Sequence, residues 1–141
     1  MAVVGDAAAA RTILVVEDDA DVRAIAVSAL EDAGYVVLQA ATGDKAMVMF
    51  DAHPEIDLVF TDIVMPGIDG FKVADCVKHL RPAVRIVYTT AFTDAAADYL
   101  GVVHGSILPK PYRSAQLLTA VAQALARDDR GDAGRDPARA R

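Results

Sequence analysis

The chain has 141 residues, of which 54% are hydrophobic, and it carries 14 Lys and Arg against 20 Asp and Glu, for a formal charge of -6. This length has room for one domain of ordinary size, and the composition suits a compact fold rather than a disordered or collagen-like chain. The acidic balance, without a basic stripe interleaved with aromatic residues, argues against nucleic acid as a direct ligand.

Three features indicate where the protein works. The apolar runs are much shorter than the roughly 20 residues that a membrane-spanning helix needs. Residues 1–10 contain no Lys or Arg and include Asp6, unlike a secretory signal. The single cysteine, Cys76, excludes an intramolecular disulfide. We therefore predict a cytoplasmic protein that contacts no membrane, with Cys76 buried on a helix as a small hydrophobic residue.

Short apolar segments alternate with longer segments of helical period along most of the chain, which is typical of an α/β fold with a parallel sheet. The predicted strands are residues 12–16, 35–39, 57–61, 85–89 and 106–108. Three of them contain continuous apolar runs, at 13–16, 58–60 and 86–88. Such runs predict strands that are covered by helices on both faces.

Apolar residues at helical spacing predict helices over residues 19–33, 44–52, 69–80 and 114–127, with a weaker one at 94–100. Residues 128–141 are rich in Asp and Arg and have only Ala as apolar content, so they cannot bury enough surface to offset the entropy of ordering. We expect a flexible N-terminus at 1–10, a domain at 11–127 and a disordered charged tail at 128–141.

Polar residues follow four of the predicted strands at the point where each strand ends. In an open parallel sheet, ligands bind beyond the carboxyl ends of the strands. The residues placed there are Glu17, Asp18 and Asp19 after the first strand, Asp62 after the third, Thr90 and Ala91 after the fourth, and Lys110 after the fifth. Asp19 is expected to cap the following helix, but capping does not account for Asp62.

Carboxylates that converge at one edge repel one another unless they are protonated or bound to a cation. Oxygen ligands favour Mg²⁺, Mn²⁺ or Ca²⁺ over zinc, and no histidine lies at metal-ligand spacing. A metal site and a simple acidic pocket both remain open from the residues alone. Lys110 suits a salt bridge with these acids, and together with the Thr90 hydroxyl and a metal it also suits a site for three phosphoryl oxygens.

Four segments in this order carry a family resemblance: ILVVEDD at 13–19, DLVFTDIVMPGIDG at 57–70, TTA at 89–91 and KP at 110–111. Together they closely resemble the receiver domain of two-component response regulators, the CheY-like family. The resemblance covers roughly residues 11–127. It implies a flavodoxin-like, doubly wound fold with a five-stranded parallel sheet in the order 2-1-3-4-5 and helices on both faces.

The resemblance also implies a role for each matching position. Asp62 would be the phosphoacceptor. Glu17, Asp18, Asp62 and the backbone carbonyl of Val64 would hold Mg²⁺. Thr90, Ala91 and Lys110 would bind the phosphoryl group and switch the domain. The expected partners are a sensor histidine kinase or a phosphotransfer protein, which donates the phosphoryl group in a phosphorelay, and a downstream protein that is contacted directly.

The sequence departs from the family pattern in places that bear on the switch. Glu17 stands where Asp is more frequent, and Ile107 occupies the position of the usual switch aromatic. The predicted helix at 94–100 is short and poor in large apolar residues. We therefore expect residues 94–105 to be a mobile output surface that phosphorylation orders.

Three other functions compete with this one. A receiver-like binding module that works without phosphorylation is the alternative, and the missing aromatic favours it. A phosphatase with an aspartyl nucleophile would need a second acid two residues after Asp62, where Val64 stands. The chain also lacks the glycine-rich motifs of nucleotide-binding proteins. We expect a signalling phosphoacceptor, not an enzyme, that at most catalyses its own phosphorylation and dephosphorylation.

Overall fold

The computed structural model describes residues 10–92 and 104–135, with side chains described as far as residue 127. Its strands are β1 (Thr12–Val16), β2 (Val36–Ala40), β3 (Ile56–Asp62), β4 (Arg85–Thr90) and β5 (Gly105–Pro109). Its helices are α1 (Ala20–Asp32), α2 (Gly43–Ala52), α3 (Gly70–Leu80) and α4 (Ser114–Arg135). Among these residues, no helix has both the length and the apolar character needed to cross a membrane.

The five strands form one parallel sheet in the order β2-β1-β3-β4-β5, which confirms the predicted fold class and strand order. The three interior strands, β1, β3 and β4, are buried almost throughout, whereas β2 and β5 are partly exposed at the edges. This is the difference that the continuous apolar runs in β1, β3 and β4 predict.

Helices pack against both faces of the sheet and produce two cores. On one face, α2 and α3 pack against strand residues such as Leu14, Val59 and Tyr88. On the other, α1 and α4 pack against Ile13 and Phe60 among others. Because successive strand residues point to opposite faces, the same short apolar run supplies both cores. The core therefore fixes the strand ends that carry the polar residues.

Several predicted boundaries and placements differ from the structure. Each predicted strand except β1 is shifted or extended by a residue at one or both ends, which is the usual uncertainty of element ends. Helix α4 continues past the predicted end at Arg127 to Arg135. The predicted helix at 94–100 and nearly all of the predicted output surface at 94–105 lie outside the described residues.

The predicted burial of Cys76 is wrong, because its side chain is exposed. The buried face of α3 consists of Gly70, Val73, Ala74 and Val77. Cys76 lies beside Val77 in sequence but points away from this stripe, since successive residues on a helix are rotated by roughly 100°.

Candidate functional site

The sheet order brings four strand ends together at one edge. Asp62 is the last residue of β3 and Thr90 the last residue of β4, while Glu17 directly follows β1 and Lys110 directly follows β5. Because β1, β3, β4 and β5 are consecutive neighbours in the sheet, these residues share the carboxyl edge. The structure thus places the predicted acids, hydroxyl and amine at the same edge of the sheet.

Three of the carboxylates form a compact cluster. One oxygen each from Glu17, Asp18 and Asp62 lies within 4.8 Å of the others. Glu17 and Asp62 are buried, with 3% and 5% of their surface exposed, whereas Asp18 is exposed. Three carboxylates here share one lysine, which leaves a formal excess of two negative charges. The oxygen-only donor set, its charge and the opening at Asp18 therefore fit Mg²⁺.

Lys110 bridges two of these acids. Its Nζ lies 2.8 Å from Glu17 Oε1 and 2.9 Å from Asp62 Oδ2, so the ammonium donates to both carboxylates. Burial lowers the pKa of Lys110, but the hydrogen bonds to Glu17 and Asp62 outweigh burial, and the net pKa is raised. The amine is therefore a fixed positive charge at neutral pH.

The local structure around Glu17 holds its carboxylate in place. Glu17 Oε2 accepts a hydrogen bond of 3.1 Å from the Asp19 backbone N–H. The Glu17 carbonyl oxygen accepts one of 2.7 Å from the Arg23 guanidinium, which also donates to Gln39. Burial raises the pKa of Glu17 above its usual range, and it prevails over the hydrogen bonds from Lys110 and Asp19, which lower it.

As predicted, Asp19 caps the first helix. Its Oδ1 accepts from the backbone N–H groups of Asp21 and Val22 at 2.9 and 3.1 Å. This cap satisfies two donors at the start of α1, so Asp19 serves the helix while Glu17 and Asp18 face the site. Three consecutive acids therefore divide into one structural residue and two site residues.

Asp62 is held by its own strand and by the loop that follows. Its Oδ1 accepts a hydrogen bond of 3.3 Å from the Val64 backbone N–H, and its backbone carbonyl accepts one of 2.9 Å from the Thr61 hydroxyl. The Gly70 backbone packs so closely against this segment that a Cβ atom there would collide with the Asp62 carbonyl oxygen. The Val64 side chain is exposed, while the role of its carbonyl as a metal ligand stays a prediction.

Thr90 lies at the site but is almost fully buried. Its carbonyl oxygen accepts a hydrogen bond of 3.0 Å from the Lys110 backbone N–H, and its Oγ1 accepts one of 3.0 Å from Phe92. Ala91 is exposed next to it. Ile107 pairs in register with Tyr88 across β4 and β5 and packs, partly buried, against the same core as Tyr88. Its role in switching stays a prediction.

A cleft beside the acids was not predicted from the sequence. It has a volume of about 360 Å³ and is lined by Val22, Ile25, Ala91, Lys110, Pro111 and Tyr112. Tyr112, one of these lining residues, packs edge-on against Phe60, with the ring centroids 5.9 Å apart. Burial raises the pKa of Tyr112 to about 12. An aromatic residue directly after Lys110 and Pro111 was the sequence signal that could have indicated this cleft.

Comparisons with known proteins agree with the fold. The model of the response regulator receiver domain family matches residues 13–122. The response regulator receiver protein CpdR of Brucella abortus is 33% identical over 82% of this chain and 97% of its own length. The sensor kinase CckA of the same organism is 34% identical over 88% of this chain, which spans only 13% of that kinase.

A solved structure of a receiver protein has a similar fold. The crystal structure of a response regulator receiver protein from Sinorhizobium medicae is 38% identical, with a TM-score of 0.76 over 85% of this chain and 98% of that one. Since the family model spans most of the chain and the strand order agrees, this chain belongs to the response regulator receiver domain family, whose members are phosphoacceptors in two-component signalling.

Proposed function

We propose that Asp62 accepts a phosphoryl group from a phosphohistidine of a sensor histidine kinase or a phosphotransfer protein. The observation that carries this proposal is that Asp62 is a buried carboxylate with a lysine amine 2.9 Å from one oxygen and two further acids within 4.8 Å. A buried carboxylate beside a fixed positive charge is suited to attack phosphorus.

The proposed transfer is a nucleophilic substitution at phosphorus. An Asp62 carboxylate oxygen forms the new P–O bond while the P–N bond of the donor histidine breaks, and the departing imidazole keeps the electron pair and takes up a proton. Mg²⁺, held by Asp18, Asp62 and the Val64 carbonyl, with Glu17 directly or through water, would neutralise charge on the phosphoryl oxygens. Lys110 offers its amine to the same oxygens after transfer.

The Thr90 hydroxyl and the Ala91 backbone complete the proposed phosphoryl site. Thr90 and Lys110 belong to neighbouring strand ends that are linked by a backbone hydrogen bond of 3.0 Å. The new group carries about −1.5 to −2 charges, which favours movement of donors toward it. The domain would pass this change to a downstream protein by direct contact, as expected of a cytoplasmic signalling protein rather than an enzyme.

The cleft beside the acids supports a protein as the phosphoryl donor. Val22, Ile25 and Tyr112 give it an apolar lining, and Lys110, which also lines it, contacts Asp62. Ile25 is 61% exposed, and together with the neighbouring apolar residues of the cleft it offers a surface that another protein could cover. An apolar helix face of the donor that carries the histidine would cover these residues and bring its imidazole to the acids.

Intact-protein mass spectrometry tests the assignment. Incubation with acetyl phosphate and Mg²⁺ should add one phosphoryl group to the wild type and none to Asp62→Asn. Asp57→Asn is the matched control, since Asp57 lies on the same strand but accepts a hydrogen bond from Thr12 at 2.8 Å, away from the acids. Phosphorylation of Asp62→Asn would disprove the assignment. No phosphorylation of the wild type, and no binding of beryllofluoride, would favour the alternative of a phosphorylation-independent binding module.

A further inference from the structure

We propose that a second cleft of the protein binds an acidic, partly apolar segment of a partner protein. This second cleft has a volume of about 430 Å³ and is lined by residues of α1, β2 and α2. The residues that decide its chemistry are Arg23, Gln39, Lys45, Val48 and Met49. It shares no lining residue with the cleft beside the acids, so its occupant does not need the surface proposed for the phosphoryl donor.

Two cations line the second cleft, and neither is paired within the part of the protein that the structure describes. Arg23 is half-buried and Lys45 is exposed, and neither forms an ion pair with a described residue. Of the described residues that line the cleft, none is acidic. The whole chain has 20 acidic against 14 basic residues, so the charge of this cleft is opposite to that of the chain. A partner segment that carries Asp or Glu is therefore attracted here.

Arg23 is positioned so that part of its guanidinium stays available to a partner. Its Nε donates to the side-chain oxygen of Gln39 at 3.1 Å, and its Nη1 donates to the backbone carbonyl of Glu17 at 2.7 Å. Its Nη2 has no hydrogen-bond partner among the described residues. Because two bonds already hold the guanidinium, less side-chain freedom is lost when it pairs with a carboxylate.

Helix α2 supplies the apolar part of the second cleft. Lys45, Val48 and Met49 are three and four residues apart, which places them on one face of the helix. Val48 is 70% exposed and Met49 is half-buried. An isolated exposed valine is common on protein surfaces, but this one borders a concavity that also holds two unpaired cations. A partner can cover the apolar pair with aliphatic side chains while its carboxylates pair with the cations.

The combination of charge and apolar surface decides the class of occupant. Nucleic acid offers phosphates but no aliphatic side chains for Val48 and Met49, and the net charge of -6 opposes its approach. A small inorganic anion would leave both apolar residues uncovered. A protein segment that combines Asp or Glu with Leu, Ile or Met matches the whole cleft. This inference does not depend on phosphorylation of Asp62.

Selection from a library of random peptides displayed on phage tests the proposal on the full chain. Peptides are selected for binding to the wild type and against binding to Lys45→Glu/Val48→Ser, in which the charged and the apolar parts of the cleft are both changed. The two replaced side chains are exposed, so the double variant should fold, which circular dichroism checks. The enriched peptides should combine Asp or Glu with large aliphatic residues.

Single variants then separate the two parts of the cleft. Binding of an enriched peptide, measured by fluorescence anisotropy, should weaken about tenfold in Lys45→Glu, because charge reversal replaces attraction by repulsion. It should also weaken in Val48→Ser. The matched controls are Lys72→Glu and Leu80→Ser, which make the same changes at exposed residues of α3. Both controls should bind the peptide as the wild type does.

Three results would overturn the proposal. The first is that no peptide distinguishes the wild type from the double variant. The second is that the enriched peptides are basic or lack aliphatic residues. The third is that the control variants weaken binding as much as Lys45→Glu and Val48→Ser do. None of these measurements uses phosphorylation, so failure of the phosphoacceptor assignment at Asp62 would be seen separately by mass spectrometry.

Discussion

The backbone N–H of Lys110 donates a hydrogen bond of 3.0 Å to the carbonyl oxygen of Thr90. This bond joins the residue that ends β4 to the residue that follows β5, so the amine and the hydroxyl proposed to bind the phosphoryl group are linked through the backbone. A shift of the Lys110 side chain on phosphorylation can therefore reach Thr90 and the strand that carries it without passing through solvent.

Lys110→Ala should separate metal binding from the response. We expect the variant to bind Mg²⁺ at least as well as the wild type, because it loses a positive charge beside Glu17 and Asp62. Beryllofluoride should then shift amide signals near Asp62 but not along β4 and β5, where the wild type should respond. Wild-type shifts along both strands in Lys110→Ala would show that the lysine is only a structural ion pair.

The free energy of unfolding should depend on pH through the protonation of Lys110. The pKa of Lys110 is raised in the folded protein above the ordinary value of 10.5. The folded state therefore keeps this proton at a pH where the unfolded state releases it, so the stabilisation is complete below pH 10.5 and is lost as the pH rises through the folded pKa. Urea unfolding at pH 8 and at pH 11 should show a smaller decrease in the free energy of unfolding for Lys110→Met than for the wild type.

Lys72→Met is the control for that measurement. Lys72 is exposed on α3. Its substitution removes one lysine but neither of the ion pairs that Lys110 forms with Glu17 and Asp62. It should lose stability between the two pH values as much as the wild type does. Equal losses in Lys110→Met and Lys72→Met would contradict the stabilising role assigned to the Lys110 ion pairs.

The sequence predicts well both the sheet and the set of polar residues at its carboxyl edge, because both depend on local patterns. Continuous apolar runs indicate buried parallel strands, and polar residues at their ends must then share one edge. The sequence alone therefore predicts that Asp62, Thr90 and Lys110 lie together. Because Asp19 stands directly before a predicted helix, the sequence assigns it a capping role that differs from the roles of Glu17 and Asp18. The observed cap confirms this assignment.

Other features depend on side-chain geometry and could not be predicted in this way. That Lys110 contacts Glu17 as well as Asp62 depends on the distance between two strand ends and on one methylene of side-chain length. Residue type predicts that Cys76 is buried, but the rotation of α3 about its axis leaves the side chain exposed. The cleft at Ile25 and Tyr112 arises only when α1 and the loop after β5 come together.

Loss of Asp18, one of the acids proposed to bind the metal, should change stability in opposite ways with and without Mg²⁺. Without the ion, Asp18→Ala should be as stable as the wild type or more stable, because it relieves repulsion with Glu17 and Asp62. With free Mg²⁺ a hundredfold above the dissociation constant, the wild type should gain about 2.7 kcal/mol in its free energy of unfolding. Asp18→Ala should gain little, as measured by urea unfolding. An equal gain in both proteins would show that Asp18 does not bind the ion.

Gly70→Ala should damage both the fold and the site, because the backbone of this residue lies against the segment that carries Asp62. The Gly70 N–H donates a hydrogen bond of 2.8 Å to the Ile63 carbonyl, and a new Cβ would collide with the Asp62 carbonyl and approach Ile63 Cα at 2.8 Å. Backbone atoms cannot rotate away as a flexible side chain can, so β3 or the start of α3 must shift. Such overpacking costs roughly 1–3 kcal/mol, which urea unfolding would detect.

The backbone shift expected in Gly70→Ala should also slow phosphorylation of Asp62 by acetyl phosphate, because the Asp62 carboxylate would move relative to Lys110 and Asp18. Gly105→Ala separates this effect from a general loss of stability. A Cβ at Gly105 would collide with the backbone of Ile86, at the other end of β5 from Lys110. We expect both variants to lose stability, but only Gly70→Ala to lose phosphorylation rate at a temperature where both remain folded. Equal rates in the two variants would show that the contact between Gly70 and Asp62 supports the fold without positioning the carboxylate.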